Sequence, residues 1–436
     1  MRSPAVYIET FGCQMNEYDT ELVRSILKDS GYGFTDSSDT ADIVLLNTCA
    51  IRENAHNKVY GHLGELKHLK EGKGLVIGVL GCMAQNLKKD LLTADSVIDV
   101  LAGPDSYRAL PQLLEQAATG QKSMAVDLSE YETYADITPD RVPGVTAWIA
   151  VMRGCDNFCT FCVVPYTRGR ERSRTFEDVL REAAALAESG CKQITLLGQN
   201  VNSYHDGRHD FADLLLAVAE LPGVVRVRFT SPHPKDFPQK LLEAVADHPR
   251  ICKHIHLPLQ SGNDRILEMM ARTYTRAEYL GLVERIRRLR PDMILTTDII
   301  AGFCSETDTE FQDTYTLITE IEYHCAYIFK YSERKNTIAA RKFKDDVLEE
   351  VKAERVSRLI DFQRAISLKK NRAMIGKVVA VLIEGDGKRT SEQWMGHTDG
   401  NLVCVFPKSN QNLKPGGLTP VLITDATVTT LYAESP

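Results

Sequence analysis

Short apolar runs alternate with longer polar stretches along the first third of the chain. AVYIETF, ADIVLLNT, LVIGVLG and SVIDVLA are strand-length and partly β-branched. Between them, NEYDTELVRSILKDSG and NKVYGHLGELKHLKEG carry apolar residues at helical spacing. Alternation of this kind predicts an open parallel α/β sheet with crossover helices over residues 1–130. The pattern breaks at the polar stretch from Glu130 to Pro143, which reads as a linker over residues 131–144.

Alternation resumes over residues 145–373. The predicted strands are TAWIAVMR, QITLLGQ, VVRVRFT, HIHLPLQ, MILTTDIIAGF and HCAYIFKY. Helical patterns such as FEDVLREAAALAES, FADLLLAVAEL and PQKLLEAVADH separate them, and a long charged helix from Asp345 to Met374 closes the segment. Six βα units suffice for an open (β/α)6 barrel and are too few for a closed eightfold one. From residue 374 to 436 the character changes. Short strands in KVVAVLIEG, WMGHTDGN, LVCVFP and LTPVLITDATVTTLYAE are broken by Gly, Asn and Pro, which predicts a small all-β barrel.

Composition narrows the setting. Hydrophobic residues are 43% and charged residues 25%, as in ordinary soluble domains. No run of eighteen apolar residues is present, so no membrane span is expected. The start, MRSPAVYIETFGC, lacks the basic-then-apolar order of a signal peptide, so a cytoplasmic address with reduced thiols is expected. Eleven cysteines in that setting point to metal ligands or thiols, and an odd number cannot all pair internally. The net charge of −7 argues against a uniformly basic nucleic-acid binder but not against local basic patches.

Three cysteines, Cys155, Cys159 and Cys162, are spaced C-x3-C-x2-C just after the first barrel strand. One loop with that spacing can wrap three corners of an iron–sulfur cube, leaving the fourth iron open to an outside ligand. Structural zinc is the plainer alternative. It requires four ligands, and no fourth cysteine or histidine lies near this triplet.

Cys13, Cys49 and Cys82 are far apart in sequence but share a context. Each directly follows a predicted parallel strand, ending AVYIETFGC, ADIVLLNTC and LVIGVLGC. In an open α/β sheet those strand ends share one edge, where ligands bind. Three unrelated core cysteines are the alternative, since cysteine is often buried.

C-x3-C-x2-C after the first strand of a partial barrel resembles the radical S-adenosylmethionine (SAM) signature. TFGCQMNEYDTE, LLNTCAIRENA, GVLGCMAQ, CTFCVVPYTRGRERSR, LLGQNVNSY, HLPLQSGNDRILEMMARTYTR and TTDIIAGF resemble the radical SAM methylthiotransferase family across the whole chain. The last segment is similar to that family's TRAM module, an RNA-binding β-barrel. The resemblance implies a radical SAM (β/α)6 partial TIM barrel and two 4Fe–4S clusters. One is an auxiliary cluster on Cys13, Cys49 and Cys82, and the other is the SAM-cleaving cluster on Cys155, Cys159 and Cys162. It also implies SAM as cosubstrate and methylthiolation of C2 of an adenosine in the tRNA anticodon loop. TFGCQMN, with Gln14, Met15 and Asn16, resembles the branch acting on N(6)-dimethylallyladenosine. Other branches act on threonylcarbamoyladenosine or on a ribosomal-protein aspartate. A non-catalytic iron–sulfur RNA-binding redox sensor is the alternative from another class.

The resemblance implies further partners: a reducing electron donor and a sulfur donor or cluster-assembly protein. No membrane is implied, and a monomer is expected. Gly198, Gln199 and Asn200 end the second barrel strand and are expected at SAM, with Ser231, Gln260, Ser261 and Asp298 as further candidates at later strand ends. Polar strand ends making turn hydrogen bonds are the plain alternative. Basic residues after the cluster loop (Arg168, Arg170, Arg172, Arg174) and in the long helix (Lys369, Lys370, Arg372) are expected to meet RNA phosphates. A solvated helix face is the plain alternative. The family tends to have GFPGET where this chain has Cys304 and Ser305, YSxRPGT where it has Lys335 and Asn336, and an arginine where it has His397. These departures put loop shape and RNA contacts in question. Cys191, Cys252, Cys304, Cys325 and Cys404 show no ligand spacing and are expected as plain thiols. His254 and His256 are expected to point to opposite sides of their strand.

Overall fold

A computed structural model describes residues 3–50, 53–93, 95–409 and 412–434. Ile51 and Arg52, within the LLNTCAIRENA motif, lie outside the described residues. The chain divides into two compact units. The first comprises Met1–Val142, Ala150–Arg174 and Arg334–Ile338; the second comprises Pro143–Ile149, Thr175–Glu333 and Ala339–Pro436.

The first unit is built on a six-stranded sheet, all parallel: β1 (Ala5–Phe11), β2 (Gly33–Phe34), β3 (Ile43–Thr48), β4 (Val76–Gly81), β5 (Val100–Ala102) and β6 (Ser123–Ala125). The order is β2-β1-β3-β4-β5-β6. The four predicted apolar runs are β1, β3, β4 and β5. All six positions of β3 are buried, as expected of a strand covered on both faces. Edge strands β2 and β6 have two and three residues, too short to show a period. Crossover helices include α1 (Gln14–Asp29), α2 (Glu53–Lys73), α3 (Cys82–Leu87) and α4 (Leu110–Ala118). Strand order reverses between β1 and β3, and such a reversal opens a ligand crevice at the strand carboxyl ends.

The stretch after β6 lacks regular structure but is anchored. Tyr134 is fully buried, its hydroxyl donating to Pro104 O (3.0 Å) and accepting from the Tyr107 N–H (3.0 Å). Arg108 clasps Glu132 and Asp136.

In the second unit the six predicted barrel strands all form, at Thr146–Ala150, Gln193–Leu197, Arg226–Phe229, His254–His256, Ile294–Ala301 and Cys325–Lys330. They make two three-stranded sheets, with parallel pairing of Gln193–Leu197 to Arg226–Phe229 and along the last three strands. A parallel bridge between Val227 and Ile251 joins the sheets, so the strands follow one another around an arc. Barrel helices start on caps that accept from their third residue: Thr175, Asp210, Thr275 and Thr307.

The last strands, Val378–Asp386, Gln393–Thr398, Val403–Pro407, Leu418–Ala426 and Thr430–Glu434, close a five-stranded barrel. Its turn at residues 397–400 docks on the amino ends of the (β/α) strands. Buried Arg226 donates to His397 O (2.7 Å) and Ala380 O (2.8 Å). Buried Arg228 donates to Thr398 O (2.6 Å) and Asp399 O (3.0 Å). A Cβ on Gly400 would lie 2.3 Å from the Ile294 side chain, so a larger residue there would have to displace it. The GHTDGN turn is therefore a packing element, and His397 is held by Glu384 (2.7 Å).

Two departures from the family pattern have a shared backbone reason. Ser305 (φ 58°) and Asn336 (φ 74°) occupy left-handed conformations at positions where the family tends to have glycine. Each is braced: the Ser305 N–H donates to Asp346 (2.7 Å) and the Asn336 amide to Asn86 O (3.3 Å).

His254 and His256 lie on one face, not two. Both reach Thr296 Oγ1 at 3.0 Å, because residues two apart on a strand share a side. Burial holds His254 well below the usual imidazole range and lowers His324 to about 4 and His233 to about 2. Below pH 6.5 the unfolded chain takes up protons that these folded residues refuse, so stability falls as pH falls. We predict a lower melting temperature at pH 5 than at pH 7.5, with the loss reduced in His324→Gln. A melting temperature equal at the two pH values would refute this.

Candidate metal centres

Cys13 follows β1 as the N-cap of α1, Cys49 follows β3, and Cys82 opens α3 after β4. These are three adjacent strands at the reversal of strand order, so the topology brings the three thiols to one crevice. A buried amide network fixes two of the turns. Asn16 Nδ2 donates to Asn47 Oδ1 (3.2 Å), and Asn47 Nδ2 donates to Asn16 O (2.9 Å) and to Thr20 Oγ1 (2.9 Å). Asn16 Oδ1 accepts from the Cys13 thiol at 3.3 Å. The network lies so close to the chain that the residues before two cysteines must be glycine. A Cβ on Gly12 would lie 2.5 Å from Asn16 Oδ1, and one on Gly81 (φ 84°) 2.5 Å from Asn47 Oδ1.

The Cys13 thiol is lowered to about 6, first by a hydrogen bond from Cys49, then by the Arg168 charge and the N–H groups of α1. Cys82 is raised by burial, against the pull of Arg168, whose Nε donates to Cys82 Sγ at 3.2 Å.

The loop of the second triplet packs in the same unit as the sheet. Cys155 and Cys159 are buried and Cys162 half-buried. Gly154 (φ 80°) precedes Cys155; a Cβ there would sit 1.9 Å from Arg170 O. Burial pushes the Cys155 thiol up to about 11, and the Asn157 amide donates to its sulfur at 3.5 Å. Val163, next to Cys162, shares a small core with Cys82 and with Ala50, the neighbour of Cys49. The two triplets therefore belong to neighbouring loops.

Among the described residues, no three His, Cys, Asp or Glu side chains are grouped as ligands of a single ion. A cube differs, because each cysteine sulfur holds a separate iron corner. All eleven cysteines are thiols, so both triplets carry the donors that iron–sulfur clusters use.

Three of the four arginines expected at RNA are not available to it. Arg168 is buried against Asp19 (2.7 Å) and Cys82, Arg172 against Asp105 (2.8 Å), and Arg174 against Tyr18 (3.2 Å) and Ala150 O (3.2 Å). Arg170 alone of the four is exposed, beside Asp156. In the long helix Lys369 and Arg372 face solvent, while half-buried Lys370 lies 3.9 Å from Glu322.

Of the SAM candidates, Gly198, Gln199 and Asn200 follow their strand as expected, with Asn200 buried and donating to Asp236 (3.0 Å). Ser231 (φ 59°) and Gln260 (φ 71°) lie just beyond strand ends. Ser261 is fully buried, its hydroxyl accepting from the Asn263 N–H at 3.3 Å. Asp298 lies mid-strand, 3.2 Å from His256 Nε2, and not at a strand end.

Three family profiles match in order: the uncharacterised protein family UPF0004 over residues 5–103, the radical SAM superfamily over 149–318, and the TRAM domain over 372–435. A tRNA-2-methylthio-N(6)-dimethylallyladenosine synthase of Chloroherpeton thalassium is 47% identical over 433 residues, covering 99% of this chain and 96% of that protein. The chain belongs to this synthase family. An Amoebophilus asiaticus synthase is also 47% identical, covering 98% and 92%. A CDK5RAP1-like protein of Caenorhabditis elegans is 46% identical, covering 98% and 83%. Among solved structures, the radical SAM methyltransferase TsrM of Kitasatospora setae matches with a TM-score of 0.58 at 14% identity, covering 78% of this chain and 77% of that one, which shows a shared fold. Sequence reading overlooked Asp19, Arg153 and Tyr107, which meet at the Asp19 carboxylate. Their only mark is ordinary helix and strand positions.

Proposed function

We propose that the chain methylthiolates C2 of N(6)-dimethylallyladenosine in a tRNA anticodon loop, using SAM and two 4Fe–4S clusters. The observation that carries this is near-full-length identity to synthases of that name, with both cysteine triplets in place. Cys155, Cys159 and Cys162 would hold the SAM-cleaving cluster, and Cys13, Cys49 and Cys82 the auxiliary one. When bound, the clusters would supply reductive SAM cleavage and a methylated sulfur, chemistry that side chains lack. The protein's own part is positional. Gly12, Gly81 and Gly154 let the backbone approach closely, the Asn16–Asn47 network locks the turns, and burial shields Cys49, Cys82, Cys155 and Cys159 from water.

Gly198, Gln199, Asn200, Ser231 and Gln260 remain the strand-end groups for SAM. Arg170, Lys369, Lys370 and Arg372, with the TRAM barrel, are the cations proposed for RNA. The adenosine must leave its stack to be modified. A reducing partner, a sulfur or cluster donor, a monomeric state and a cytoplasmic setting complete the proposal. Among the described residues no helix is long and apolar enough to cross a membrane.

Nucleoside analysis of tRNA from cells lacking the protein tests the reading. Dimethylallyladenosine should accumulate as its methylthio form disappears. Loss of methylthiolated threonylcarbamoyladenosine, or of the ribosomal aspartate modification, would instead assign the chain to another branch.

A further inference from the structure

Beneath the auxiliary cysteines, one buried carboxylate faces two buried guanidinium groups. Asp19 is fully buried; Arg153 Nη2 and Arg168 Nη2 each donate to it at 2.7 Å, and the Tyr107 hydroxyl adds a third bond at 3.2 Å. Two positive charges against one negative leave a net positive charge in a dry site. The next carboxylate, Asp105, is already held by Arg172 at 2.8 Å. The Tyr134 ring face, 4.7 Å from the Arg153 guanidinium, favours the charge on that side. Arg168 turns its Nε to Cys82 Sγ at 3.2 Å, and its buried Nη1 has no hydrogen-bond partner among the described residues.

The other triplet sits in a different field. Cys155 accepts from the neutral amide of Asn157 at 3.5 Å, and the Glu171 carboxylate adds negative potential there.

We propose that Arg168 is a positioning residue for the auxiliary cluster, setting a buried cation against the sulfur of Cys82 and biasing that cluster toward its reduced state. The inference rests on the two-cluster reading above. A cluster held by thiolates becomes more negative by one charge when it takes one electron from an external reductant. A buried cation donating a hydrogen bond to a ligand sulfur stabilises the more negative state, and net charge and such bonds set cluster potentials. Burial keeps salt from screening the effect. The auxiliary cluster then accepts its electron at a less negative potential than the SAM-cleaving cluster, so reductant fills it first.

The test is a potentiometric titration of reconstituted full-length protein, followed by electron paramagnetic resonance. A Cys155, Cys159, Cys162→Ala background isolates the auxiliary signal. Arg168→Met should move the auxiliary midpoint to a more negative potential, and Arg168→Lys should restore most of the shift. Asp19→Asn leaves both guanidinium groups without a counter-charge and should move the midpoint the other way. An unmoved or more positive midpoint in Arg168→Met overturns the proposal. Should that variant not load iron, Asp19→Asn decides: an unmoved or more negative midpoint there overturns it equally. Iron content separates the two layers. About four irons in the unaltered protein sinks the two-cluster reading itself, whereas about eight irons with midpoints indifferent to Arg168 sinks only this inference.

Discussion

Changing Cys13, Cys49 and Cys82 together to alanine is expected to abolish methylthio product while the protein still releases 5′-deoxyadenosine from SAM under strong reductant. Anaerobically reconstituted protein should hold about eight irons per chain, and the variant about four. The structure adds a condition to this test. Val163 packs against Cys82 and Ala50, so the loop of the second triplet leans on the first. Serine at position 82 in place of alanine keeps most of the side-chain volume at that contact, and the serine variant should give the same result with a firmer fold. Methylthio product from either variant would remove the sulfur-bearing role from the first triplet. A retained cooperative melt shows that lost chemistry is not lost structure.

The second large effect is expected at Arg228. Its guanidinium joins Gln193 Oε1 (3.0 Å) to the carbonyls of Thr398 and Asp399, all within the second unit. Alanine there leaves buried acceptors unpaired, and hydrogen bonds to a charged donor are worth about 1.5–3 kcal/mol each. We expect Arg228→Ala to lower the melting temperature and to expose the segment after residue 373 to proteolytic release. Arg228→Lys should recover part of the loss, since one ammonium cannot span the same fork. An unchanged melt and digestion pattern would show that the turn at residues 397–400 docks by other means.

Much of the architecture was legible because the central strands, such as Ile43–Thr48, Gln193–Leu197 and Arg226–Phe229, are buried along their length and the rest still read as apolar runs. Each of the ten α/β strands that the runs marked is present, whereas the edge strands Gly33–Phe34 and Ser123–Ala125 lie in stretches with no apolar run. The cysteines were legible because chemistry fixes their type and the sheet fixes their place after a strand. The arginines were misread for a different reason. In sequence, Arg168, Arg172 and Arg174 form one basic run. Whether each meets phosphate or an internal carboxylate depends on partners such as Asp19, which lies 149 residues from Arg168. Asp19 itself sits within a helix whose other charged residues are half-buried or exposed, and nothing local sets it apart. Asp298 was misplaced because its apolar run continues past it to Ala301, so the strand end could not be read from the run.

The turn at residues 397–400 has a consequence for how the C-terminal barrel can be studied. It rests on Arg226 and Arg228 of one strand and on Ile294 at the start of another, and so forms a floor under the larger barrel. Cutting the chain before that module would remove a proposed RNA handle and, in the same stroke, let solvent into the lumen from below. The module and the enzyme body are therefore one heritable piece: a substitution that improves grip on RNA is tolerated only if it leaves the floor in place.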